Sequence, residues 1–143
     1  MPFVEKDFLM RYFNQLGIVL ARILGLKNSG KFEEANKVIE HALSELGLKA
    51  PEKYVSMAHD SFLSELLGAH QLNDVQIKGL AELLYEKGDI EKQIGANDLA
   101  KGYFSKTLIL LDYITEKEKV YSFEREERIC LILSFLNGQN NKN

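Results

Sequence analysis

Few residues in this chain have the types and spacing that catalysis or metal binding requires. The three histidines, His41, His59 and His70, form no His–His or His–Cys pair at metal-ligand spacing. The sequence His59-Asp60-Ser61 contains the residue types of a catalytic triad, but a triad is defined by geometry in space and not by neighbours in sequence. No glycine-rich phosphate loop, zinc-protease motif or nucleophile elbow occurs. We therefore predict no catalytic residue, no metal site and no cofactor.

The charge distribution argues against nucleic acid as a partner. The chain has a net charge of −3, and its lysines and arginines are interspersed with glutamates instead of forming a basic stripe. Phosphate contacts supply most of the affinity for nucleic acid, so a binding protein needs such a stripe. The acidic pairs Glu33–Glu34 and Glu126–Glu127 are typical of solvated helix faces. We therefore expect no nucleic-acid partner.

The chain has one cysteine, Cys130, so it forms no intramolecular disulfide. Cys130 lies in the apolar run RICLILSFL, where a cysteine usually acts as a small buried hydrophobe. A reactive thiol is the alternative, and it would need exposure and a neighbouring cation such as Arg128. We favour the buried interpretation.

The apolar N-terminal segment has neither the length of a membrane span nor the pattern of a signal peptide. Its uncharged run covers residues 12–21 and is ended by Arg22, whereas a span needs about 20 apolar residues. Glu5 and Asp7 interrupt the region that is basic in a signal peptide, and no small-residue cleavage site follows. We therefore expect a cytoplasmic protein with no membrane partner.

Apolar residues recur at helical spacing along the whole chain, and no segment alternates as a strand does. The chain is therefore predicted to be all-α, with five or six helices in a single domain over residues 1–137 and a polar flexible tail, 138–143. Helices are expected over residues 4–28, 32–46, 74–94, 97–114 and 120–136, with a shorter one that ends near residue 67. Residues 48–57 are interpreted as an irregular connection. The alternative there is a helix that begins at Pro51, since proline suits the first helical position.

Glycines and cap residues mark the expected helix ends. Glycines are expected to end or turn the chain after four of the helices, at Gly30, Gly47, Gly68 and Gly95. Asn97 is expected to cap the helix that ends at residue 114, and either Ser56 or Asp60 is expected to cap the short helix that ends near residue 67. Gly88 lies inside a helical pattern, where it either permits a close helix contact or marks a bend. Leu99 belongs to the expected buried face of its helix, and Glu124 and Arg128 have the spacing of an ion pair in the last helix.

The first predicted helix has an apolar face wider than a surface helix normally carries. Two neighbouring sets of residues follow helical spacing, one through Phe8, Tyr12, Leu16, Val19, Ile23 and Leu26, the other through Leu9, Phe13, Leu16, Leu20 and Leu24. Large exposed apolar patches are rare in monomers. We therefore expect this face to form the seam of a homodimer, and the alternative is that the chain itself buries it.

Residues 30–43 and 95–108 share a pattern that indicates an internal repeat. The first copy carries Gly30, Phe32, Ala35, Ile39 and Ala42, and the second carries Gly95, Ala100, Phe104 and Thr107, with Gly88 in the preceding helix. At these residues the chain resembles the tetratricopeptide repeat family, over about residues 16–49 and 81–114. It departs from the family pattern at Ile23 and Thr107, where small residues are usual, and the two copies are not separated by a whole number of repeats.

The resemblance implies antiparallel helical hairpins stacked as a short right-handed superhelix, with a binding groove lined by the first helix of each hairpin. Carried over to this chain, the groove residues are Leu20, Leu24, Lys27, Asn28, Glu82, Tyr85, Glu86, Asp89, Lys92 and Gln93. The second half of this set is acidic and would repel the peptide carboxylate that clamp-type members of the family bind. The resemblance therefore favours an amphipathic or basic peptide as the partner, and its identity stays open.

Together these patterns predict a non-catalytic protein–protein interaction or scaffold module that associates with itself. The alternative is a small-ligand-binding or enzymatic helical domain with a cleft between its helices, where Tyr85, Glu86 and Tyr103 would be the polar groups. A ligand site of that kind needs a pocket of at least about 300 Å³. The size of any inter-helix cleft therefore decides whether the alternative survives.

Overall fold

The structure, a computed structural model, describes the chain from Pro2 to Asn140. Every regular element in this part of the chain is helical. The elements are α1 (Pro2–Asn28), α2 (Phe32–Glu45), α3 (Pro51–Val55), α4 (His59–Ser64) with a π-helical turn (Glu65–Ala69), α5 (Asp74–Gln93), α6 (Asn97–Glu118) and α7 (Phe123–Asn140). The all-α class is confirmed, with seven α-helices over the described residues where five or six were predicted. None of these helices combines the length and the apolar character that crossing a membrane requires.

The connection between α2 and α5 is more regular than predicted. Pro51 is the first residue of α3, so the irregular interpretation of residues 48–57 is wrong and the proline alternative is correct. Proline suits this position because its φ is already helical and the first N–H of a helix has no partner to lose. The next helix, α4, begins after Ala58 and has no side-chain cap, so neither Ser56 nor Asp60 caps it.

The end of α4 also differs from the prediction, in which the helix ran to Leu67 and Gly68 closed it. The helix widens into a π-helical turn, in which the His70 N–H donates to the Glu65 carbonyl at 3.0 Å. The left-handed residue that follows is Gln71, with φ of 51°. The sequence signal of a glycine was misleading here because the wider turn carries the chain past it.

The two turn glycines of the predicted repeat have the expected conformation. Gly30 and Gly95 adopt φ of +74° and +89°, a region that favours glycine. The alanines that follow each turn, Ala35 and Ala100, are both fully buried. The hairpins α1–α2 and α5–α6 therefore share the local pattern that indicated a repeat. Their stacking as a tetratricopeptide superhelix stays a prediction.

Gly88 permits α5 and α6 to approach closely. A Cβ atom at this position would lie 2.8 Å from the Phe104 ring of α6, which is closer than packed carbon atoms allow. The ring is held in place by Tyr85, at a centroid distance of 5.4 Å, and by Phe135 of α7, at 5.2 Å. The close-contact interpretation of Gly88 is therefore confirmed.

Two predictions about α6 are wrong. Asn97 is the first helical residue and not a cap, since the N-cap position is Ala96 and no side chain caps it. Leu99 is 43% exposed and does not belong to the buried face. A complete capping box occurs instead at the start of α5, where the Asn73 side chain accepts from the Gln76 N–H at 2.8 Å and the Gln76 side chain accepts from the Asn73 N–H at 3.0 Å.

The core lies between the central pair α5–α6 and the helices that pack around it. Its largest fully buried side chains include Ile39, Phe62, Ile77, Leu80 and Leu110. The outer helices contribute much less. Among their described side chains, α1 buries only Ile23 and α7 only Ile132 to this degree.

The last helix is shifted toward the C-terminus relative to the prediction. It covers Phe123–Asn140, so residues 138–140 are helical and do not belong to a polar tail. The rest of the predicted tail, residues 141–143, lies outside the described part of the chain. Cys130 is exposed on α7, which contradicts the buried interpretation.

Candidate functional site

One side of α1 carries a line of apolar and small side chains that the other described residues leave at least half exposed or nearly so. Met10, Phe13, Gly17, Ala21 and Leu24 follow one another at three- and four-residue spacings, which place them along one side of a helix. The side chains of Met10, Phe13 and Leu24 are 56%, 53% and 46% exposed. Gly17 and Ala21 are exposed as well. We call these five residues the α1 strip.

The other side of α1 is firmly packed. Tyr12 and Leu16 lie against Gly79 of α5, where an added Cβ would come within 2.5 Å of the Tyr12 hydroxyl. Burial, with a smaller contribution from the Glu45 charge, raises the pKa of Tyr12 to about 12. The α1 strip is therefore the free side of a helix whose opposite side is anchored.

Several residues of the predicted groove meet in one ionic cluster between α1 and α5. Lys27 Nζ donates to Glu86 Oε2 at 2.6 Å and lies 2.5 Å from Asp89 Oδ2, and Gln93 Nε2 donates to the same Asp89 oxygen at 2.9 Å. Burial alone would lower the pKa of Lys27, but the hydrogen bonds and charges of Asp89 and Glu86 outweigh it and raise the pKa. The acids of this part of the groove are therefore already paired within the chain.

The remaining α5 residues of the predicted groove are in contact with α7. The Arg128 guanidinium lies 3.7 Å from the centroid of the Tyr85 ring, and its Nη1 donates to Glu82 Oε2 at 3.1 Å. The predicted Glu124–Arg128 pair is therefore wrong, because Arg128 turns toward α5. Burial raises the pKa of Tyr85, and the Arg128 charge opposes this shift. Helix α7 thus covers part of the surface that the sequence assigned to a peptide.

Lys92 and Asn28 complete the predicted groove set. Lys92 Nζ lies 5.4 Å from the centroid of the Phe135 ring of α7, within the range of a cation–π contact. Asn28, at the end of α1, is exposed. Most of the ten predicted groove residues therefore contact each other or α7, and a peptide groove formed by them stays a prediction.

A cleft of about 580 Å³ lies between α1, α5, the end of α6 and the start of α7. We call it the α1–α7 cleft. Its apolar lining consists of Phe13, Leu16, Leu20, Val75, Leu111 and Ile114, and its charged lining consists of Lys78, Glu82, Glu118, Glu124, Arg125 and Arg128. The volume exceeds the lower limit of about 300 Å³ for ligand sites, so the ligand-binding alternative survives. The polar groups expected for it, Tyr85, Glu86 and Tyr103, do not line this cleft.

Three charged groups meet at one end of this cleft. The Glu118 carboxylate pairs with both Lys78 and Arg125, and Arg125 Nη1 donates to it at 3.2 Å. The hydrogen bond from Lys78 is the main cause of a lowered pKa at Glu118, and Arg125 adds to it. Arg125 Nη2 donates to the Val120 carbonyl at 2.7 Å. Two cations therefore share one acid at the cleft wall.

The histidines do not form a site. His70 Nε2 lies 3.2 Å from the Tyr54 hydroxyl, and His41 and His59 are exposed. Among the described residues, no group of three or more His, Cys, Asp or Glu side chains is placed to hold a metal ion.

Comparisons with models of protein families, with curated proteins and with solved structures gave no match to this chain. The resemblance to tetratricopeptide repeats therefore rests on the sequence pattern alone.

The sequence did not predict the charged residues that line the α1–α7 cleft, Glu82, Glu118, Arg125 and Arg128 among them. Arg125 and Arg128 are three positions apart, which places them on one side of a helix, and this is the only local signal of their shared role. Their partners Glu118 and Glu82 come from α6 and α5. No local pattern links these four residues, so only the fold brings them together.

Proposed function

We propose that this chain is a non-catalytic protein-interaction module that associates with a second copy of itself through the α1 strip. The observation that carries the proposal is the half-exposed set Met10, Phe13 and Leu24 on a helix whose other side is packed. Fully burying one such side chain contributes about 1.5–3 kcal/mol. About half of that remains to be gained at each position, or about 4.5–9 kcal/mol over the six side chains of a dimer, which is of the same order as the cost of association, about 4–15 kcal/mol.

The sequence of the α1 strip suits pairing with its own copy. Its three- and four-residue spacing is typical of helix–helix seams. The strip is also symmetric about Gly17, with Phe13 and Ala21 four positions away and Met10 and Leu24 seven positions away. In an antiparallel pair with its twofold axis at Gly17, Phe13 of one copy would meet Ala21 of the other, and Met10 would meet Leu24. The small residues at the centre would allow the two helices to approach closely.

Light scattering on purified protein tests the proposal with a matched pair of variants. Leu24→Glu places a charge in the strip, and Leu99→Glu places one on α6 at nearly the same exposure, 43% against 46%. We expect the wild type and Leu99→Glu to have the mass of a dimer and Leu24→Glu the mass of a monomer. Equal masses for the two variants would overturn the assignment of the strip.

The second candidate function is binding of a small molecule in the α1–α7 cleft. It is favoured by one observation, the cleft volume of about 580 Å³, which lies within the range of about 300–1,000 Å³ for small-molecule sites. The two functions use different surfaces except at Phe13 and Gly17, which belong to both. Leu24 does not line the cleft, so Leu24→Glu separates them.

A further inference from the structure

Lys106 of α6 is a buried lysine without an acidic partner. The residue is only 7% exposed. The side chains of Lys27 and Lys87 are about as buried, and each of these two ammonium groups lies within ion-pair distance of two carboxylates. The Lys106 ammonium has neither a carboxylate nor a hydrogen-bond acceptor next to it among the described residues. A buried charge is normally paired, so this lysine differs from the other two.

Helices α3 and α4 enclose this part of α6. The Lys106 Nζ atom lies over the ring of Phe62 of α4, 5.8 Å from its centroid, and that ring is fully buried. One turn earlier on the same side of α6, Gly102 faces Val55 of α3 so closely that an added Cβ would overlap the valine side chain. Nζ itself is not shielded from solvent, since Arg125 Nε is the only described side-chain atom that is both shielded and without a partner. Lys106 therefore has apolar surroundings and a tip that a small molecule can reach.

These surroundings make the Lys106 amine a nucleophile. Burial lowers the pKa of Lys106, and no neighbouring charge contributes to this shift. The physical cause is that the charged ammonium loses the solvation that water provides, whereas the neutral amine loses little. Lysines in apolar pockets are activated in this way, because the unprotonated amine is the reactive form. Each unit by which the pKa of an amine falls raises its unprotonated fraction at neutral pH about tenfold, which outweighs the accompanying loss of intrinsic nucleophilicity.

We propose that Lys106 is an acylation site, modified by a small acyl phosphate. Nζ attacks the carbonyl carbon of the donor with its lone pair, the bond from that carbon to the phosphate oxygen breaks, and phosphate leaves with the electron pair. The nitrogen gives up a proton to water, and the product is an uncharged amide, which suits the apolar surroundings better than the ammonium does.

The narrow access to Lys106 selects the donor. The residue is 7% exposed, so a donor with a small leaving group such as phosphate reaches Nζ more easily than a thioester of coenzyme A, whose leaving group is far larger than the acyl group. Lys106 lies outside the α1 strip and does not line the α1–α7 cleft. The inference therefore goes beyond the proposed function and does not depend on it.

Competitive acetylation followed by mass spectrometry tests the proposal on the wild-type protein. Acetyl phosphate at neutral pH is the probe, and Lys37 and Lys117 are internal controls because both are exposed. Lys117 also belongs to the same helix as Lys106. We expect Lys106 to be acetylated at least about threefold faster than either control. In guanidinium chloride, which unfolds the chain, this ratio should fall to about one because all three lysines are then solvated alike. With acetyl-coenzyme A the folded protein should show no preference for Lys106.

Each result that differs from these expectations overturns a stated part of the proposal. A ratio below threefold in the folded protein would overturn it as a whole, because burial would then hinder the reagent more than it activates the amine. A preference for Lys106 that persists in guanidinium chloride would assign the reactivity to the local sequence and not to burial. An equal preference for Lys106 with acetyl-coenzyme A would overturn the assignment to a small donor. None of these results bears on self-association through the α1 strip, which light scattering measures separately.

Discussion

Replacing Lys27 by methionine tests how α1 is anchored on α5. The Lys27 ammonium contacts the carboxylates of Glu86 and Asp89. The side chains of Lys27 and Glu86 are 9% and 8% exposed, whereas that of Asp89 is 21% exposed. Lys27→Met keeps most of the apolar stem and removes the charge, so the change isolates the ion pair from the packing.

The expected cost follows from what the substitution leaves behind. Removing one partner of a buried ion pair costs about 3–5 kcal/mol because the other charge stays buried without compensation. Asp89 is more exposed, so water can solvate its carboxylate in part. We therefore expect Lys27→Met to cost about 3 kcal/mol, the lower end of this range. Total stabilities of domains are about 5–15 kcal/mol, so the loss is large.

Urea unfolding followed by circular dichroism measures the cost. With a slope of about 1–3 kcal/mol per molar urea, Lys27→Met should lower the midpoint by at least about 1 M. Lys37→Met on the exposed side of α2 is the control, with an expected change within about 0.5 kcal/mol. In the double variant Lys27→Met/Glu86→Gln the buried charge is gone, so its cost should be smaller than the sum of the single costs. A change below about 0.5 kcal/mol for Lys27→Met would show that α1 does not desolvate Glu86, and the packing of α1 on α5 would be wrong.

Three further predictions concern packing, capping and pH. Gly88→Ala should cost about 1–3 kcal/mol of stability because the new methyl group meets a packed aromatic ring. Gly25→Ala has no atom within 4 Å of its added Cβ, so it should raise stability by up to about 1 kcal/mol. Urea unfolding compares the two variants. Asn73→Ala should cost about 1 kcal/mol of stability through loss of the capping box, whereas Asn97→Ala should change the stability little. If thermal unfolding shows a larger loss of stability for Asn97→Ala than for Asn73→Ala, Asn97 is a cap after all. The pKa of Tyr12 is raised from 10.0 to about 12, so its phenol holds a proton more tightly in the folded chain, and the stability this contributes is complete below pH 10 and lost as the pH rises toward 12. Between pH 10 and 12 the free energy of unfolding should fall less steeply with pH in Tyr12→Phe than in the wild type. An equal slope in the two proteins would show that Tyr12 does not cause the loss of stability.

The fold class and the two hairpins were predictable because their signals are local. Helical spacing of apolar residues marked α2 and α5, and the turn glycines Gly30 and Gly95 are followed in both hairpins by a buried alanine. These features depend on residues within one or two turns of each other. A helical period and a positive φ are therefore visible in the sequence itself.

The elements that sequence reasoning missed are short or depend on distant partners. Helix α3 is too short to show a period, so Pro51 was its only signal. Arg128 has an acid four positions before it in Glu124, yet it pairs with Glu82 from another helix. Cys130 lies in an apolar run, but α7 is an outer helix and only one side of it is covered. The pattern of apolar residues in the sequence does not show which side of an outer helix the rest of the chain covers.

The candidate site was predictable only in part for the same reason. The apolar character of α1 was visible, and an interface on it was expected. Which of its sides is free depends on how α2 and α5 pack against it, and that separates the α1 strip from the buried side with Ile23. The cleft with Arg125 depends on four helices meeting, and no local pattern carries that information.

The most direct test of self-association through the α1 strip is a disulfide cross-link at its centre. In a Cys130→Ser background, Gly17→Cys places a thiol at the proposed twofold axis, and Gly25→Cys places one on a neighbouring side of the same helix. Both sites have no atom within 4 Å of an added Cβ, so both are tolerated. A disulfide needs Cα atoms about 4.4–6.8 Å apart, which only closely paired helices provide. Mild oxidation of dilute protein should convert Gly17→Cys, and not Gly25→Cys, from a 16.3 kDa chain to a linked dimer of twice that mass. Equal or faster cross-linking at Gly25→Cys, or none at Gly17→Cys, would contradict the account.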